Sequence, residues 1–319
     1  MSGPTRRAVA AALPALGLAA PARAATSREM SVRGLTTYSE SAMVMSVSPD
    51  GRTAATLRFC RFPEPGVTWL WCHLLHDGEL YAFTRHDLPC GPERLAGGPA
   101  AAYRAPPAEA ALIRTGRGPG LESVRLAAAL PMHRGRAAPH GPGPVAGRLE
   151  GLFTPTHTLT AQVLEGRDEV YGRFEAEFQV GGRVVRHAGP AKFHEQRQEA
   201  ARFEAPFDYS WLAGEGLAAT TLLVARGASG GWALADGDQA LADMAIDPPG
   251  DRRAVDYRLA SGRRMAGELT ALVRYEVPIF DRAWRGSFVR GQVDGRPVVG
   301  VANDWTTPPD IYAAARARL

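Results

Sequence analysis

Lysine is almost missing from this chain: Lys192 is the one example among 37 basic residues, and the rest are arginine. The arginines stand singly between acids, with no block of five or more. The net charge of +4 therefore forms no stripe of the kind that phosphate contacts require. A compositional preference for Arg, Ala, Gly and Pro accounts for the charge, and no nucleic-acid partner is expected. Cysteine is scarce too. Cys60, Cys72 and Cys90 are an odd number, which excludes a closed disulfide framework. They leave either one bridge with a spare thiol or three small buried hydrophobes. No run of 18 or more apolar residues follows the N-terminus, so no membrane-spanning helix is expected. The glycines have no three-residue period, which excludes a collagen-like chain.

The familiar catalytic signatures are also lacking. No G-x-G-x-x-G opens a helix, and there is no Walker lysine and no G-x-S-x-G elbow. His194-Glu195 begins like a zinc-protease helix, but Gln198 stands where the second histidine is required. Cys72, His73, His76, His86 and Cys90 invite a metal reading, yet Cys72 and His73 point to opposite faces of a strand. His76 and Cys90 lie on different segments without finger-like spacing. No metal and no organic cofactor is expected.

What is present is a core-forming chain, with 45% apolar and 22% charged residues, so it is not disordered. Its 319 residues allow two modest domains or one large all-β body. Residues 1–24 stand apart. Thr5-Arg6-Arg7 precede an Ala-rich run, and Ala22-Arg23-Ala24 offers a small-x-small cleavage site. The pattern resembles a twin-arginine export signal and predicts a periplasmic or otherwise exported mature chain; without export the protein is cytoplasmic.

From about residue 36 the apolar period is two. Asp50-Gly51, Asp77-Gly78, Asp236-Gly237 and Asp294-Gly295 punctuate runs of alternating residues as hairpin turns. Residues 91–150 are rich in Gly and Pro and read as a loop-rich connection holding one or two strands, at 111–115 and 123–130. Strand patterns resume after Leu152, and helices are few: one at 309–319 and a turn near Leu241. The expected fold is all-β, with an N-terminal barrel over 30–150 and a C-terminal barrel over 151–319.

The densest polar segment runs from Lys192 to Glu199, between Gly189-Pro190 and the aromatic series Phe203, Phe207, Tyr209, Trp211. On a strand, Lys192, His194, Gln196 and Gln198 share one face; Phe193, Glu195, Arg197 and Glu199 share the other. An acid or histidine buried in an apolar cavity has its charged form disfavoured, and a carboxylic acid kept protonated there can give a proton to an alkene. The alternative is a solvated edge strand with scattered ion pairs. Tyr275 to Trp284 and Asn303-Asp304-Trp305 place further aromatics beside acids, a pattern that core aromatics with surface charges also explain.

Over 189–211 the chain resembles the superfamily of carotenoid 1,2-hydratase and the AttH-like lipocalin-type proteins (hydroxyneurosporene synthase-like). Gly189, Phe193, His194, Glu195 and Gln196 match that family's glycine-led aromatic–His–acid–polar strand, and Phe207, Tyr209 and Trp211 match the aromatic strand after it. The hairpin at 286–305, ending in a Trp, is similar to the family's last strands. The resemblance implies two lipocalin-like barrels or half-barrels side by side, with an apolar pocket for a prenyl or terpenoid ligand. It further implies alkene hydration, acid-triggered cyclisation or pericyclic ring closure without a cofactor. A Tyr-x-Asp pair that follows the His strand in the hydratases has no counterpart here, where residues 220–224 stand, so hydration of a carotenoid is disfavoured.

On this reading Glu195 is the proton donor and His194 orients it. Gln196 holds a polar group, and Lys192 or Arg197 holds a carboxylate or diphosphate end. Phe207, Tyr209, Trp211, Asp304 and Trp305 line the substrate, with Tyr209, Trp211 and Trp305 steadying a carbocation through their π-faces. A carrier that binds a lipophile without changing it, and a structural β-protein with no ligand, are the competing readings.

Overall fold

The computed structural model describes residues 37–96, 101–115, 123–135, 143–158, 166–199, 203, 205–224, 229–235, 237–280 and 282–319. The export signal expected at 1–24, the Asp236 half of one hairpin turn and most of the glycine clusters within 91–150 lie outside these residues.

The first sheet is built from β1 (Ser39–Val47), β2 (Thr53–Phe62), β3 (Val67–His76), β4 (Glu79–Pro89), β5 (Ala102–Ala105), β6 (Ala108–Thr115), β7 (Ser123–Arg134), β8 (Val145–Thr158), β9 (Arg167–Val180) and β10 (Arg183–Gln198). Its order is β4-β3-β2-β1-β10-β9-β8-β7-β6-β5, and β4 also pairs with β7, so the sheet closes on itself. The second body is a closed up-and-down barrel of consecutive strands: β11 (Phe207–Gly214), β12 (Leu217–Leu223), β13 (Ser229–Leu234), β14 (Asp238–Ile246), β15 (Arg252–Leu259), β16 (Arg264–Ile279), β17 (Arg282–Val293) and β18 (Arg296–Trp305). A short helix, α1 (Pro309–Arg316), packs its buried Ile311, Tyr312 and Ala315 on this second barrel. No helix among the described residues is long and apolar enough to cross a membrane.

The all-β, two-barrel expectation therefore holds, but the chain divides between the sheets at residues 199–206, not near residue 150. The stretch at 91–150 is no connector. It supplies β5, β6, β7 and the start of β8 to the first sheet, and its Gly and Pro residues fall between these strands. Leu241 sits inside β14 instead of in a turn.

Turn chemistry sets the registers. Asp77 and Gly78 both take positive φ (48° and 81°), as do Asp294 and Gly295 (53° and 73°). These are the dihedrals of a two-residue hairpin turn whose twist matches the strands, and they pair His76 with Glu79 and Val293 with Arg296.

Three apolar clusters follow from strand alternation. One fills the first barrel, with Phe59, Phe153, Phe174, Phe178 and Phe193; another fills the second, with Leu212, Met244, Ile246, Tyr257 and Val289. The third lies between the barrels and holds Trp69, Trp71, Tyr209, Trp211, Trp284 and Trp305. Most of the tryptophan is thus spent on joining the two bodies. The connecting Phe203, held at φ 65°, stacks on Trp69 at 5.5 Å and meets Trp305 edge-on at 5.2 Å, and its carbonyl accepts the Trp305 indole N–H at 2.9 Å.

Candidate functional site between the barrels

Strand β10 runs between β1 and β9, and its alternation decides what each side chain can reach. In register, Gln196 faces Arg167, His194 faces Glu169, and Lys192 faces Tyr171; on the other side His194 faces Met43. Met43 faces Arg58, which faces Trp71. One row across the sheet is therefore Trp71–Arg58–Met43–His194–Glu169, all on the face turned toward the second barrel.

The polar part of this face is a connected cluster. Arg167 donates through Nε to Glu169 at 2.6 Å, through one terminal nitrogen to Gln196 Oε1 at 3.1 Å, and through the other to His194 Nδ1 at 3.2 Å. A guanidinium only donates, so Nδ1 is an acceptor and a neutral His194 carries its proton on Nε2. Lys192 Nζ donates to the same Glu169 Oε1 at 2.7 Å. Both cations also lie over the Tyr209 ring of β11, Lys192 at 4.5 Å and Arg167 at 4.9 Å from its centroid. Burial alone would raise the Glu169 carboxyl, but Lys192 and Arg167 outweigh it and hold it below the ordinary glutamate range. Burial pulls the Lys192 ammonium down to about 7, against the attraction of Glu169 and with the help of Arg167. The chain's one lysine is thus fully buried beneath the site.

Above this floor is a cavity of about 830 Å³. From the first barrel and its edge come Arg58, Arg167, His194, Gln196 and Met43. From the connector and the second barrel come Phe203, Phe207, Tyr209, Leu222, Trp284 and Asn303. Arg58 is buried, with its guanidinium 4.3 Å from the Trp71 ring centre and 5.5 Å from that of Trp284. Tyr209 pairs with Asn303, the chain's one asparagine, and Asn303 with Gly286. A Cβ on Gly286 would stand 2.3 Å from the Tyr275 ring, so only glycine lets that ring lie across β17 and stack on His73 of the first barrel at 4.4 Å. Among the described residues the Tyr209 hydroxyl and Asn303 Oδ1 are buried without a hydrogen-bond partner. Two unsatisfied polar atoms at one cavity wall are what a ligand's polar group would complete.

Apart from Arg197, near the end of β10, the expected site residues separate by strand parity. His194, Gln196, Arg197, Phe207 and Tyr209 line the cavity, Arg197 at its rim beside Asp168. Lys192 lies beneath, reaching Glu169 and the Tyr209 ring. Trp211 and Trp305 share the inter-barrel face but pack in its core and do not line the cavity. Glu195 is a correction. It points the other way, into the first barrel beside Phe193, where it accepts from the Tyr103 hydroxyl at 2.7 Å and pairs with Arg114 at 3.5 Å. Burial and the Glu195 carboxylate push the Tyr103 phenol well up. A donor on that face cannot protonate a molecule in the inter-barrel cavity, and His194 does not orient it. Asp304 is displaced for the same reason: it lies on the inner face of β18, 2.9 Å from the Tyr312 hydroxyl of α1.

Arg58, Arg167 and Glu169 carry none of the sequence expectations, and Asn303 enters there only as the neighbour of Asp304 and Trp305. Arg167-x-Glu169-x-Tyr171 is itself an alternating polar series, and it is the signal that pairs with Lys192-x-His194-x-Gln196. The histidine–cysteine set is dispersed: Cys72 faces the first barrel's interior, His73 the inter-barrel core, and His86 Nε2 accepts the Trp71 indole N–H at 2.8 Å. Cys60, Cys72 and Cys90 are all free thiols.

No family model and no curated protein sequence matches this chain. Solved structures do. NE1406 of Nitrosomonas europaea, assigned as an AttH, superposes with a TM-score of 0.55 at 14% identity, over 84% of this chain and 92% of its own. CghA solved with Sch210972 gives 0.52 at 12% identity, over 84% and 88%. CghA alone gives 0.51 at 13%, over 86% and 89%. At such identities the likeness is one of fold, and this chain is built on the same two-barrel, lipocalin-like architecture as those proteins.

Proposed function

We propose that the inter-barrel cavity takes an isoprenoid or terpenoid polyene and promotes its cyclisation, isomerisation or hydration without a cofactor. The observation that carries this reading is the pairing of a fixed hydrogen-bond cluster, Arg167, His194 and Gln196, with an aromatic wall, Phe203, Phe207 and Trp284, around one cavity. CghA, which shares the fold, was crystallised with Sch210972, so a compound bound to this architecture has a precedent.

The chemistry follows from the donors present. Among the described lining residues the one carboxylic acid is Glu199, an exposed rim residue paired with Arg94 at 2.7 Å, so none of them offers a buried acid for direct protonation of an unactivated alkene. Arg167, neutral His194 and the Tyr209 hydroxyl instead suit an oxygen conjugated to the polyene. Hydrogen bonds to that oxygen withdraw electron density from the chain and stabilise the negative charge that develops as a bond forms or a proton shifts. The aromatic wall holds the polyene folded with its reacting carbons in contact. The lack of a buried acid among the described lining residues also favours a second reading, a carrier that binds such a molecule unchanged.

Tryptophan fluorescence titrated with prenyl alcohols, prenyl diphosphates and carbonyl-bearing polyenes, followed by mass spectrometry of extracts from D2O buffer, separates the two. Saturable quenching with a changed product supports catalysis, and its loss in His194→Phe assigns the site. Quenching with unchanged ligand establishes the carrier. No quenching by any apolar ligand removes the cavity reading.

A further inference from the structure

The charges around the cavity are unbalanced. Glu169 uses one oxygen, Oε1, to hold both Arg167 and Lys192, and no second carboxylate contacts either cation among the described residues. With Lys192 protonated, the cluster carries one positive charge that no acid neutralises, although Lys192 and Glu169 are almost wholly buried and Arg167 is only 8% exposed. Buried charge left unpaired is costly; it is relieved either by loss of the proton, toward which burial already draws Lys192, or by a counter-charge that keeps the proton in place. Elsewhere on the lining Arg94 pairs with Glu199 at 2.7 Å and Arg197 with Asp168 at 3.9 Å, so the excess belongs to the Arg167 cluster. Beside Arg167, the buried Tyr209 hydroxyl has no partner among the described residues.

Resting on the cavity assignment above, we infer that its ligand is an amphipathic anion: an apolar isoprenoid body with one carboxylate, or an equivalent acidic oxygen pair, docked on Arg167 and the Tyr209 hydroxyl. The anion supplies the missing counter-charge of the Lys192–Glu169–Arg167 cluster. The apolar body extends over Met43, Leu222, Phe203 and Trp284. The planar guanidinium, already fixed by Glu169, Gln196 and His194, meets the anion without further ordering, which favours carboxylate over alcohol or ester.

The test is a matched series on the full chain: all-trans-retinoic acid, its methyl ester and retinol, each titrated by quenching of tryptophan fluorescence. The acid is expected to bind at least about tenfold tighter than the ester or alcohol, the difference between a charge-assisted and a neutral hydrogen-bond set. Lys192→Met leaves the Arg167–Glu169 pair intact and removes the excess charge, so the acid's preference should fall to about threefold or less. Arg167→Leu should abolish it. Equal binding of the three compounds by the unaltered protein overturns the inference and leaves the cavity reading standing. Binding of none overturns both. A preference that survives undiminished in Lys192→Met, a substitution that leaves no charge unpaired, also overturns it.

Discussion

The first barrel brings to the cavity Arg58, Arg167, His194 and Gln196, whereas the second brings Phe207, Tyr209, Leu222 and Trp284. The two bodies are built differently as well. The second is a meander of consecutive strands, and the first is closed by β10 returning to pair with β1. That return sets His194 beside Met43, residues far apart in the chain, and spreads a polar cluster over a continuous sheet face. The division suggests that the first barrel handles the reacting or charged end of a ligand and the second shapes and dries it. All eight histidines also lie between residues 73 and 194, and the second barrel has none.

Acid is expected to discriminate the barrels most strongly. Burial holds neutral His73 at about 3 and His187 at about 4, and burial together with Arg58 holds His86 at about 4. All three lie below the unfolded histidine value, so the unfolded chain binds more protons below it. The stability these groups contribute is full above about pH 6.5 and is lost progressively toward pH 4. Between pH 7 and 5 the loss is about 4 kcal/mol from the two buried residues and up to about 6 kcal/mol with His86. Urea unfolding at the two pH values, with hydrogen exchange locating the loss, should find the first barrel weakened and the second spared; uniform weakening would remove the contrast.

Glu169→Leu comes next, because it leaves Arg167 and Lys192 buried without their shared carboxylate. A loss of about 3–5 kcal/mol is expected in denaturant unfolding, and a loss below about 1 kcal/mol would mean that water reaches the cluster. Glu195→Gln should cost less, about 1–3 kcal/mol through the weakened tie to Tyr103 and Arg114, with ligand quenching and product formation unaltered. Abolished turnover with intact folding would return Glu195 to the reaction and falsify the division of the two faces of β10. Tyr209→Phe should move stability least, within about 0.5 kcal/mol, since the hydroxyl lost has no partner among the described residues. Product formation, or acid binding in the carrier case, should nonetheless fall roughly tenfold; unchanged values would remove Tyr209 from the site.

Much of this architecture was legible from alternation and turn residues. The hairpins at Asp77-Gly78 and Asp294-Gly295, the aromatic strand after residue 206 and the terminal helix all follow from local chemistry that tertiary packing did not override. The separation of Lys192, His194 and Gln196 from Glu195 was legible too. Which of those faces meets a cavity was not, because that depends on closure by β1 and on a second body covering one face. Residues 91–150 were misread since Gly- and Pro-rich turns between short Ala-rich strands look like linker when no partner strand is in view. Their hairpin carries Tyr103, the very group that occupies Glu195. Arg58 carries no local pattern at all, and nothing in Asn303-Asp304-Trp305 marks the asparagine for the cavity; only the ladders place them.

The burial of the chain's one lysine gives the molecule a built-in chemical reporter. An amine-reactive ester has no exposed side-chain amine to modify in the closed state, so acylation at Lys192 records parting of the barrels or melting of the β9–β10 face. Peptide mapping after timed labelling would count those openings without an introduced probe, and a ligand that seals the cavity would slow them.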